Sequence, residues 1–112
     1  ELAQHTLIGY VPDLIVSPSL DYAAEFSADW SSAFAISSAL GQAEAVRAGA
    51  GIGILHTFIA RSMPDLVPVE AVQPIRRAYW LVYHESVRPL RRVQAVADFI
   101  ARAVEKERAL FL

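Results

Sequence analysis

The sequence predicts an α/β fold with a mixed, mostly parallel sheet flanked by helices. Three observations predict it. Short apolar runs rich in β-branched residues alternate with segments of helical periodicity. Over residues 37–55 a serine-capped helical segment passes through a glycine turn straight into one of those runs. The longest run, residues 75–83, is apolar on both faces, as strands are when helices cover a sheet on each side.

Taken in order, Thr6-Leu7-Ile8-Gly9-Tyr10 reads as the first strand, closed by Val11-Pro12-Asp13 because proline has no amide proton for the ladder. A helix of about two turns follows: Leu20, Ala23, Ala24 and Phe26 recur at helical spacing, with Ser19 as cap and Asp21 near the N-terminus. Residues 33–37 read as the second strand. Ser37 and Ser38 then cap a helix whose stripe is Leu40, Ala43 and Val46, with Arg47 suiting the dipole in its last turn and Gly49 able to take positive φ beyond its end. Ile52, Ile54 and Leu55 make a third, buried strand, and residues 56–62 a short helix stopped before Pro64. Leu66-Val67-Pro68-Val69 reads as an edge strand. The long two-faced strand comes next, and a last helix over residues 90–106 carries the stripe Val93, Val96, Ala97, Ile100 and Val104, which needs a partner surface.

Composition narrows the function classes. At 112 residues, 54% of them apolar and 20% charged, the chain builds one ordinary domain with a real core. A formal charge of −2 with scattered Lys and Arg leaves no basic face for nucleic acid. The absence of cysteine removes disulfides, thiolate catalysis and thiolate-bound zinc. No run approaches the roughly 20 apolar residues of a membrane span, and the start Glu1-Leu2-Ala3-Gln4-His5 is no signal peptide, so a cytoplasmic protein without membrane contact is expected. With a strand-like run a few residues in and no initiating methionine, the chain is expected to be a fragment.

In parallel α/β sheets, ligands lie beyond the carboxyl ends of the strands. That rule selects Tyr10 and Val11 after the first strand, Ser37 and Ser38 after the second, and His56 and Thr57 after the third. The serines serve either as caps or as donors to a bound carboxylate; His56 is either a ligand contact or a satisfied turn histidine. Gly49-Ala50-Gly51-Ile52-Gly53 has phosphate-loop composition but the wrong direction: it follows a helix and opens a strand, which suits a helix end and close packing. His5, His56 and His84 lack metal-ligand spacing, and no Gly-x-Ser-x-Gly elbow supports a hydrolase. No metal, cofactor or catalytic residue is expected. Trp30, Tyr79, Trp80 and Tyr83 read as packing residues rather than a ligand cage.

The string Gln42-Ala43-Glu44-Ala45-Val46-Arg47-Ala48-Gly49-Ala50-Gly51-Ile52-Gly53-Ile54-Leu55 resembles the signature of the effector-binding domain of LysR-type transcriptional regulators. Leu7-Ile8-Gly9-Tyr10, the run Arg77-Ala78-Tyr79-Trp80-Leu81-Val82-Tyr83-His84 and the closing helix sit where that family would place them. The resemblance implies a lobe of the type 2 periplasmic-binding-protein fold. Residues 1–75 would be the second lobe, and residues 76–112 the crossover strand and C-terminal helix of a mostly absent first lobe. It further implies a non-enzymatic sensor that holds a small-molecule effector between the lobes, near Tyr10, Val11, Ser38 and His56. His56 stands where the family commonly carries proline. The partners implied are a small-molecule effector, for which the serines above suggest a carboxylate, copies of the chain in a dimer or tetramer, and promoter DNA only through an amino-terminal domain outside this chain. The mechanism implied is population shift between open and closed lobes. A solute-binding protein fragment of a transport system is the alternative with the same fold. Without its usual partner, the last helix is expected to drive self-association.

Overall fold

A computed structural model describes residues 4–27, 29–69 and 73–112. Residues 1–3 and 70–72, which the expected second lobe spans, lie outside the described set. The chain divides into two compact units, Glu1–Ile75 and Arg76–Leu112.

The first unit is built on a three-stranded parallel sheet of order β2-β1-β3, with β1 at Leu7–Gly9, β2 at Phe34–Ala35 and β3 at Ile52–Gly53. Ile8 pairs with Phe34 on one side and Gly53 on the other. Bonds from Ile36 N to Gly9 O (2.9 Å) and from Ile52 N to Thr6 O (2.9 Å) extend the two ladders. All of β1 is buried, as a central strand of a parallel sheet must be, whereas β2 is an exposed edge. Parallel neighbours need crossovers, and helices α1 (Tyr22–Phe26) and α2 (Ala39–Arg47) supply them.

Helix α2 begins where Ser38 Oγ accepts from Gly41 N at 3.2 Å. At its other end Gly49 N donates to Val46 O (2.9 Å) and Ala50 N to Ala45 O (3.0 Å), a Schellman pair that requires the positive φ of 79° at Gly49. Its buried residues are Gln42 and Ala43, while Leu40 is exposed. The packing face is therefore rotated from the apolar stripe, because the Gln42 amide finds a partner inside: Nε2 donates to Ile36 O at 2.8 Å. Apolar periodicity cannot register a glutamine that belongs to the core.

Helix α1 is capped by Asp21, whose Oδ1 accepts from Ala24 N at 3.1 Å. The side chain of Ser19, the expected cap, lies outside the described atoms. A turn of 3-10 helix, Pro18–Leu20, occupies the positions expected for the first helical turn. Helix α3 is short, Thr57–Ala60.

Neither the 66–69 edge strand nor the long 75–83 strand forms. A strand exists only where another strand completes its ladder, and among the described residues nothing pairs with either segment. Of the four aromatic residues expected to pack, Trp80 is 83% exposed and Tyr83 is exposed with it, Tyr79 is exposed but meets the Phe111 ring at 6.1 Å, and Trp30 is half-buried against Phe26. In the second unit, Glu85–Val87 is a 3-10 turn and α4 spans Arg91–Lys106. Helix α4 buries no residue; Val96, Phe99, Ile100 and Val104 all face out.

Candidate functional site

Because β1, β2 and β3 run parallel and pair side by side, the turns that leave them share one edge of the sheet. The strand order reverses at β1, the switch point where such sheets open a crevice. The six residues singled out from sequence follow these strand ends in the chain, Tyr10 and Val11 directly after Gly9, Ser37 and Ser38 shortly after Ala35, and His56 and Thr57 after Gly53.

Tyr10 is half-buried directly after β1, and Val11 turns the chain into Pro12–Leu14 by accepting from Leu14 N at 3.0 Å. Ser37 is exposed, and Ser38 is engaged as the α2 cap. His56 is half-buried at the start of α3, and its carbonyl accepts from Ile59 N and Ala60 N. Its ring meets Tyr22 of α1 edge-on, centroids 6.0 Å apart, and lies 5.5 Å from the Phe58 ring. Thr57 is exposed and bonds through its carbonyl to Arg61 N.

Within the first unit a cavity of about 330 Å³ opens beside this edge. Of the six residues only Tyr10 lines it; Ser37, Ser38, His56 and Thr57 do not. Its walls include Tyr22 and Asp21 from the α1 region, Trp30 and Ser32 from the loop before β2, and Gln42 from α2. Trp30 stacks edge-on against Phe26 at 5.6 Å. Gly9 lets this loop close down on β1, since a side chain there would collide with Ser32 Oγ and reach Trp30 Nε1 at 3.5 Å.

Sequence reasoning by strand ends missed Tyr22, Trp30 and Gln42. The available signal was Trp30 itself, a large indole in the polar run Ser27-Ala28-Asp29-Trp30-Ser31-Ser32, which packs on Phe26 four residues earlier.

Among the described residues the perturbed titrations are those of Arg47 and Asp65. Arg47 at the end of α2 donates from Nε to Asp65 Oδ2 at 2.9 Å, which holds the Asp65 carboxyl below the usual range and raises the guanidinium. Glu44 adds a second acidic neighbour at 3.6 Å. Among the described residues no group of three His, Asp or Glu side chains could hold a metal ion, and no helix is long and apolar enough to cross a membrane.

The sequence matches the family described as LysR substrate binding domain over residues 1–105. No curated protein and no solved structure matches the chain.

Proposed function

Because the chain belongs to the LysR substrate-binding domain family, a non-enzymatic family of transcription regulators, we propose that it senses a small-molecule effector at the carboxyl rim of its parallel sheet. Tyr10, Val11, Ser37, Ser38, His56 and Thr57 make the contacts. The observation that carries this reading is the pairing of β2 and β3 on either side of β1, which sets three separate turns along one edge. A carboxylate-class effector suits the rim: the Ser37 hydroxyl is exposed there, beside the first-turn amides of α2.

In this reading residues 1–75 are the second lobe and residues 76–112 supply the crossover strand and last helix of a first lobe. The division of the chain at Ile75 and Arg76 supports it. An effector that binds the closed pair of lobes more tightly than the open pair shifts the population toward closure. A cytoplasmic dimer or tetramer passes that shift to promoter DNA held by a separate domain. The apolar face of α4, open in this chain, supports an assembled state.

The test is calorimetry on the intact regulator, after a thermal-shift screen of small carboxylates and aromatic acids has found a stabilising compound. Ser38→Ala and His56→Ala should each weaken its binding roughly fivefold or more, the worth of one good hydrogen bond. Unchanged affinity in both variants would remove the rim from consideration.

A further inference from the structure

The cavity beside β1 adjoins the rim through two tyrosines. Tyr10 is itself a rim residue, and Tyr22 lines the cavity while its ring meets that of His56 edge-on at 6.0 Å. The charge of the lining has one sign. Among the described residues its only acidic side chain is Asp21, and no Lys, Arg or His takes part. Asp21 is half-buried; its Oδ1 accepts from Ala24 N at 3.1 Å as the cap of α1, and among the described residues its Oδ2 takes no hydrogen bond. Three aromatic residues, Tyr10, Tyr22 and Trp30, complete this part of the wall. A carboxylate and aromatic rings favour the same kind of group: the carboxylate attracts a cation directly, and ring faces attract it through their quadrupole. An anion in the same space meets Asp21 with no compensating charge.

We propose that this cavity is the inner part of the rim site and receives an ammonium group of the effector, with Asp21 as its counter-ion and Tyr10, Tyr22 and Trp30 around it. The volume, about 330 Å³, lies at the lower end of small-molecule pockets and suits a compact alkylated head. The inference rests on the rim reading for the position of the effector's acid group. Taken together, the two define the effector class as a zwitterion carrying both a carboxylate and an ammonium.

The test compares betaine, which is trimethylammonioacetate, with its carbon isostere, a carboxylate of the same shape in which carbon replaces the nitrogen. Each is titrated into the ¹⁵N-labelled full chain. The Ala24 amide, bonded to Asp21 Oδ1, is the reporter, and the Ala97 amide of α4, in the other unit, is the control. Betaine should move the Ala24 resonance saturably and leave that of Ala97 in place. The isostere should bind roughly fivefold or more weakly, because it lacks only the positive charge. Asp21→Asn should erase most of that preference, since asparagine keeps the helix cap and loses the charge. Ser38→Ala should weaken both probes alike and leave their ratio unchanged, because both carry the carboxylate. Equal affinity for the two probes, a stationary Ala24 resonance, or an undiminished preference in Asp21→Asn would overturn the proposal. If Asp21→Asn fails to fold, the two probes on the unaltered chain still decide. A lost preference with Ser38→Ala still weakening both probes leaves the rim reading intact; a preference that persists while Ser38→Ala weakens neither removes the rim and keeps the ammonium cavity.

Discussion

Gln42 is the residue whose replacement most directly tests how α2 is fastened to the sheet. It is 3% exposed and its Nε2 donates to Ile36 O at 2.8 Å, joining the first turns of α2 to the end of β2. Gln42→Glu keeps the shape and changes the chemistry: an ionised carboxylate donates nothing and sets a buried charge against a carbonyl oxygen. A glutamate so placed is pushed up from its ordinary value of about 4.3 by desolvation, commonly by two units or more. At 1.36 kcal/mol per unit, two to three units amount to about 3–4 kcal/mol lost at neutral pH, a large share of the stability of a small domain. The sign follows from proton counts. Between about pH 4.3 and the raised folded value the native state binds more protons than the unfolded chain, so stability falls as pH rises. Below about pH 4.3 the protonated side chain donates to Ile36 O again and the deficit largely vanishes. Urea midpoints of both proteins at pH 7 and near pH 4, with m-values compared, measure this. A variant as stable as the parent at pH 7, or equally weakened at both pH values, would show that the Gln42 amide does not hold this junction.

Two other perturbations probe the same unit. A side chain at Gly51 would meet the carbonyl of Thr6, which is backbone and already accepts from Ile52 N. Gly51→Ala should therefore cost about 1–3 kcal/mol by crowding, less the few tenths to 1 kcal/mol by which alanine restricts the unfolded chain; a urea midpoint equal to the parent's would contradict the close approach. Asp65, held below the ordinary carboxylate value by the Arg47 guanidinium, stabilises the fold above that ordinary value and loses its effect as pH falls through the lowered one. Asp65→Asn should flatten this acid-range dependence and lower stability at pH 7 by the same amount, a small one because the pair is exposed. Identical losses in both proteins between pH 5 and pH 2.5 would assign the acid sensitivity elsewhere.

The parts of the fold that local chemistry decides were legible in the sequence. Ser38 caps α2, Gly49 ends it with positive φ, and the runs around Ile8, Ala35 and Ile52 enter one sheet. The parts that depend on partners were not. Residues 75–83 alternate as a two-faced strand should, yet a strand is a pair property, and no neighbour completes it. Gln42 was hidden for the opposite reason: its burial depends on a carbonyl six residues earlier, which an apolar pattern cannot encode. At the candidate site the rim followed from strand ends alone, whereas the cavity depends on how the loop carrying Trp30 folds back over Gly9.

The glycine positions explain why a chain with so short a sheet still places its turns closely. Gly51 lies against Thr6 at the start of the β1–β3 ladder, and Gly9 lies under Ser32 and Trp30 at the end of β1. At Gly51 the neighbour is the Thr6 backbone, closer than a side chain would allow, whereas at Gly9 it is the Ser32 side chain, whose hydroxyl can turn aside. Enlarging Gly51 would lift β3 from β1 and with it the turn that carries His56 and Thr57. Enlarging Gly9 would press on the Ser32 side chain and leave the Trp30 indole at ordinary contact distance.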